Sequence, residues 1–266
     1  MANEGPDLRN NPGDIRSWPV LQVDYPTDPA KVAALLPPGL DPGAQPIVHV
    51  GFYNAPVPDE PEYGVLLTVD ANFQGRPGEY TIGYAIDQEA AIYRSKATWG
   101  QPKYPAETEY YRLGDKVKAA CCHQNYTFVE FQGQVTGPAP LPSDECVRTE
   151  WWIKVSRAVS GAEGEYDFPP HVVEVNTTST AIAREVVDGE LILRDSPWDP
   201  ITDLLPKCGD SVARLVTDRI TNRVIKTAGP LDPAAFGPFI HTIGSSRWPG
   251  VLGGPTREVD YSAYMT

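Results

Sequence analysis

Proline decides what this chain can fold into: 28 of its 266 residues are proline, and they are spread along the whole length. That is roughly twice the average share of about 5%. Each proline removes a backbone donor and breaks a helix interior, so a chain punctuated this way is built from short strands and turns rather than long helices. Clusters such as Pro56-Val57-Pro58-Asp59-Glu60-Pro61 and Gly137-Pro138-Ala139-Pro140-Leu141-Pro142 read as connections between sheet segments.

Between these connections, β-branched and aromatic residues predict strands over 20–25, 47–53, 63–73, 80–86, 90–95, 116–122, 125–134, 150–155, 171–180 and 180–193, with Asp188-Gly189 as a turn inside the last. Two helices interrupt them. Asp28 before Pro29 has the order of an N-cap and a first helical residue, opening a short helix over 29–36. Val212, Leu215, Val216, Ile220 and Val224 recur at three- and four-residue steps and predict a helix over 210–225 with one buried face. The length suits one β-dominated α+β domain over 18–226, preceded by an N-terminal extension, 1–17, and followed by a Pro- and Gly-rich tail, 227–266. That tail either wraps a surface or a neighbouring subunit, or is partly disordered.

A net charge of -13 argues against nucleic acid and anionic lipid as partners, because both are bound through clustered Lys and Arg. No run of about twenty apolar residues predicts a membrane-spanning helix. Met1-Ala2-Asn3-Glu4-Gly5-Pro6-Asp7 has neither a basic start nor an apolar core, so no secretory signal is expected and the location expected is cytoplasmic. Cys121, Cys122, Cys146 and Cys208 are spaced for neither a disulfide framework nor a metal, and are expected to be reduced and mostly buried, with one of the adjacent pair facing the core. His123, His171 and His241 share no metal-ligand spacing, and neither a phosphate loop, a dinucleotide glycine pattern nor a serine elbow occurs, so no metal and no cofactor are expected.

The chemistry concentrates in Tyr93-Arg94-Ser95-Lys96-Ala97-Thr98-Trp99-Gly100-Gln101-Pro102-Lys103-Tyr104-Pro105. One lysine stands between two prolines and beside three aromatic rings. An amine that attacks a carbonyl must be unprotonated, which calls for a fixed backbone and a partly dry, apolar pocket. Lys103 is therefore the candidate nucleophile.

The stretch from Gly78-Glu79-Tyr80 through Asp87-Gln88-Glu89-Ala90-Ala91-Ile92 to Trp99-Gly100-Gln101-Pro102-Lys103 resembles the acetoacetate decarboxylase family without a gap. Leu191-Ile192-Leu193 and Asp199-Pro200-Ile201-Thr202-Asp203-Leu204-Leu205-Pro206 are similar to that family's end, and the likeness covers roughly 18–226. The resemblance implies curved antiparallel sheets around a barrel-like cavity, a few peripheral helices, a homo-oligomer, and a Lys103 that forms a Schiff base with a carbonyl substrate. Several positions depart from the family. Trp18 stands opposite its arginine, Gly64 opposite its acidic residue, Tyr104 opposite a second lysine, and Ser95-Lys96-Ala97 opposite Gly-Arg-Glu.

An iminium at Lys103 can release a proton, a carboxylate or an aldol fragment from the adjacent carbon. The departures favour an aldolase-dehydratase that takes a pyruvate-like 2-oxo acid and an aldehyde. The alternatives are a β-keto acid decarboxylase with altered partners, or a non-catalytic barrel for a small ligand. The acid or base expected beside Lys103 is Tyr63 first and Glu62 second. Lys96 is the candidate for a substrate carboxylate, Trp99 and Tyr104 for lining the pocket, His49 for pointing into the lumen, and Trp18 for the lost arginine's place.

Overall fold

A computed structural model describes residues 18–55, 61–162, 164–196 and 198–240; the N-terminal extension and the tail beyond 240 lie outside them. In chain order it contains β1 (Val20–Pro26), α1 (Pro29–Leu35), β2 (Leu40–Pro42), β3 (Ile47–Ala55), β4 (Glu62–Phe73), β5 (Arg76–Ile86), α2 (Glu89–Trp99), β6 (Lys103–Pro105), β7 (Glu107–Leu113), β8 (Lys116–His123), β9 (Tyr126–Pro138), β10 (Cys146–Arg157), β11 (Tyr166–Leu193), α3 (Ile201–Leu204), β12 (Val212–Pro230) and α4 (Pro233–Phe236).

Twelve strands form one curved sheet. Seven of them run in the order β10-β5-β4-β3-β1-β12-β11, and β10 pairs again with β11, so these strands close into a ring. Closure leaves them without free edges. From the far half of β11 the sheet continues through β9, β8 and β7. The 28-residue β11 thus serves both parts, and register shifts along its pairing with β12 let it bend between them.

Alternation along the strands separates two faces. One carries the larger core, including Leu21, Val23, Val50, Phe52, Val69 and Phe131. The other carries a smaller cluster of Leu66, Tyr84, Ile86, Trp152, Val173 and Val175, onto which α2 packs Ile92. Polar groups share this second face.

Four local expectations are corrected. Residues 90–95 are helical, as part of α2: Ala90, Ala91 and Ala97 favour helix, Glu89 lies in the first turn and Lys96 in the last. Gly100 stops that helix at φ 72°, and a Cβ there would lie 2.4 Å from the Ile153 carbonyl oxygen, so only glycine fits. Residues 212–230 form a strand rather than a helix, because β1 and β11 hydrogen-bond it from both sides. Asp188 and Gly189 make no turn; they pair with Gln134 and Gly133 inside β11. Only Cys121 is buried, Cys122 and Cys146 are half-buried and Cys208 is exposed. The helix expected after Asp28 is present, with the Asp28 carboxylate accepting from the Ala30 amide.

Candidate active site

The loop expected around Lys103 is a short strand. Chain leaving β5 passes through α2 and returns as β6, parallel to β5, the connection that parallel strands require. Tyr84 and Lys103 are register partners, so their side chains leave the same face, the one that carries the smaller cluster. The Tyr84 amide donates to the Pro102 carbonyl at 3.0 Å, which secures the backbone just before the lysine.

Lys103 is 8% exposed, and its Nζ donates to Glu62 Oε2 at 2.7 Å. Glu62, itself 5% exposed, accepts from the Tyr53 hydroxyl on its other oxygen at 2.8 Å. Both ends of the carboxylate are therefore engaged. Burial, and next the Glu62 charge, push the Tyr53 phenol well above its ordinary range, so Tyr53 keeps its proton and acts as a donor.

Gly64 explains how this trio fits. It is the register partner of Tyr53, and a Cβ there would stand 2.6 Å from both Cζ and the hydroxyl oxygen of that ring. Where the sequence reading placed the loss of an acidic side chain, the missing atoms make room for Tyr53, and the carboxylate comes from two residues earlier on the same strand face. Tyr53 escaped sequence reasoning because it meets Glu62 only through the pairing of β3 with β4.

Beyond Tyr84 the polar groups continue along the face. Glu150 accepts from the Tyr84 hydroxyl at 2.5 Å and from Trp152 Nε1 at 3.1 Å, and Arg148 lies 3.4 Å from its other oxygen. Arg148 also pairs with Glu79, which accepts from the Thr68 hydroxyl. Further on, His49 sits between Asp24 at 2.7 Å and Asp70 at 3.1 Å. Burial opposes charge on that ring, but the two carboxylates prevail and push His49 up to about 10. A cavity of about 570 Å³ opens beside Asp70, Glu79 and Arg148 at this end.

The remaining candidates divide between the faces. Trp99 packs on the smaller cluster, with Tyr84 and Ile86. Tyr63 packs on the larger core, on the face opposite its neighbour Glu62, so the carboxylate rather than the phenol meets the lysine. Tyr104 likewise turns away from the side taken by Lys103 and stands edge-on to His123, which lies 2.7 Å from Asp199. Trp18 packs edge-on to Tyr110 within the larger core. Lys96, half-buried in the last turn of α2, already has a partner.

The sequence pattern of the acetoacetate decarboxylase (ADC) family matches residues 4–221. The chain belongs to this family. Curated relatives named acetoacetate decarboxylase, from Chromobacterium violaceum and Paraburkholderia phytofirmans, are each 33% identical to it, over 85 and 87 residues. Those stretches are 30% and 31% of this chain and 33% of each relative, so the chain spans about a third of their length in the match. Among solved structures, acetoacetate decarboxylase from Legionella pneumophila aligns over 86% of this chain and 98% of its own, with a TM-score of 0.68 at 18% identity. The enduracididine biosynthesis enzyme MppR, solved with the condensation product of pyruvate and imidazole 4-carboxaldehyde, aligns over 78% of this chain and 86% of its own, with a TM-score of 0.61 at 19% identity. At such identities the shared property is the ADC-like fold, mostly β with a closed ring of strands.

Proposed function

We propose that this ADC family member is a Schiff-base lyase, an aldolase-dehydratase that joins a pyruvate-like 2-oxo acid to an aldehyde through Lys103. The observation that carries the reading is the buried Lys103–Glu62–Tyr53 arrangement. A carboxylate at hydrogen-bond distance is placed to take the ammonium proton, freeing the amine to attack the substrate's C2 carbonyl. Loss of water from the adduct leaves an iminium. Glu62 returns its first proton to the departing oxygen and then removes one from C3, giving an enamine. That carbon attacks the aldehyde, forming a C–C bond while the aldehyde oxygen takes the proton from Glu62. A second C3 proton and the new hydroxyl then leave as water, and hydrolysis of the imine frees Lys103. One 2-oxo acid and one aldehyde thus give one unsaturated oxo acid and one water. The iminium is the electron sink, so no cofactor enters the scheme.

Tyr53 holds Glu62 in place from the side away from the lysine, and Trp99 with Tyr84 supplies the apolar wall. MppR, a fold neighbour solved with a pyruvate–aldehyde condensation product, supports the reading. A β-keto acid decarboxylase is the second reading, favoured by the names of the curated relatives; there the same iminium accepts the electron pair left by carbon dioxide. Homo-oligomeric assembly and a cytoplasmic location complete the proposal; among the described residues no helix is long and apolar enough to cross a membrane.

Borohydride reduction in the presence of pyruvate tests it directly. A reduced pyruvyl adduct is expected on Lys103 by intact mass and peptide mapping, and none in Lys103→Ala. An aldehyde added with pyruvate should yield the unsaturated product, with little carbon dioxide from acetoacetate. Absence of the adduct overturns the proposal, and rapid carbon dioxide release selects the decarboxylase.

A further inference from the structure

We infer that Arg223 is the cation that receives the substrate's carboxylate and so restricts the site to anionic oxo acids; this rests on Lys103 being the imine-forming residue. Arg223 lies in β12 opposite Thr177 of β11, which is opposite Arg148 of β10. Register partners share a face, so Arg223 stands on the same side of the sheet as Trp152 and Tyr84. Its guanidinium lies 5.7 Å over the Trp152 ring. Trp152 in turn meets the Tyr84 ring edge-on at 6.2 Å, and Tyr84 neighbours Lys103. The positive charge is felt at the Tyr84 hydroxyl, where it opposes the upward push of burial.

Three other arginines in the strands of this sheet are taken. Arg148 is held by Glu79 and Glu150, Arg214 by Asp24, and Arg184 by Asp218. Arg223 makes no ion pair among the described residues. The cation–π contact with Trp152 uses the charge and not the N–H donors, and among the described residues those donors make no hydrogen bond; they can bind a carboxylate with two parallel hydrogen bonds. A chain with a net charge of -13 repels anions in general, so an acidic substrate needs a local cation of this kind. A neutral ketone would gain nothing from it.

The test compares pyruvate with methyl pyruvate, which differ in the charge, in full-length wild type, Arg223→Gln and Arg223→Lys. The readout is the concentration that gives half-maximal borohydride trapping at Lys103. Arg223→Gln should raise that concentration about 10- to 100-fold for pyruvate, the range of a lost charged hydrogen bond, and leave the ester unchanged. Arg223→Lys should recover part of the loss. Unchanged pyruvate trapping, or equal loss for acid and ester, overturns the assignment while leaving Lys103 intact. Wild type that traps neither compound overturns the imine reading and Arg223 with it. If Arg223→Gln does not fold, the wild type decides: salt must weaken trapping of pyruvate and not of the ester, and equal sensitivity overturns the role.

Discussion

At the scale of single residues, Glu62 and Gly64 do complementary work on one strand face. Glu62 supplies the carboxylate that meets Lys103, and Gly64 leaves the volume that the Tyr53 ring fills. Glu62→Gln keeps the shape and removes the proton acceptor. Trapping of pyruvate at Lys103 should then slow by about 100-fold or more, with an unchanged circular dichroism spectrum. Gly64→Ala puts a methyl 2.6 Å from the Tyr53 hydroxyl and 2.9 Å from the Ala85 carbonyl oxygen, where backbone has little freedom to yield. Overpacking should cost about 1–3 kcal/mol in urea unfolding, and trapping should slow as Tyr53 is driven off Glu62. The buried setting of Lys103 was legible from its prolines and aromatic neighbours. Tyr53 was not, since nothing local links position 53 to position 62.

At the scale of elements, the ring closes through its shortest pairing, Glu150 with Glu79 and Trp151 with Tyr80 between β10 and β5. Side chains reinforce that seam: Arg148 reaches Glu79 and Glu150 together, and Trp152 donates to Thr81 at 3.1 Å. Arg148→Met strands two carboxylates that are largely buried. The loss in urea unfolding should be about 2 kcal/mol, less than for a fully buried pair because Arg148 is 40% exposed. Elements also mark where local pattern misleads. The apolar steps from Val212 to Val224 suit a helix, yet Ala213 and Leu215 are buried while Val212, Ile220 and Val224 are exposed. The β-branched content of this segment was the better signal. In α2, Ile92 and Tyr93 suggested a strand, but the alanines and Gly100 prevailed.

At the scale of the molecule, charge pairs across the sheet set how stability responds to pH. His49 is raised to about 10 from an unfolded value near 6.5, so its contribution is complete below about pH 6.5 and is lost as pH rises through 10. Asp24 and Glu79 move the other way. Burial pushes each up, but His49 and Arg214 on Asp24, and Arg148 on Glu79, hold both below the usual carboxylate range. Their contributions are present above about pH 4 and lost as pH falls through the folded values. The midpoint of urea unfolding should therefore form a plateau near neutrality with an acid and an alkaline limb. His49→Gln should lower the plateau and flatten the alkaline limb. What the sequence determined by itself was the β-dominated class, through proline spacing and β-branched segments, together with Lys103 as the proposed imine former. Which carboxylate meets that lysine, which arginine lies over the Trp152 ring, and how β12 folds were decided by tertiary structure, because each depends on pairing between strands far apart in the chain.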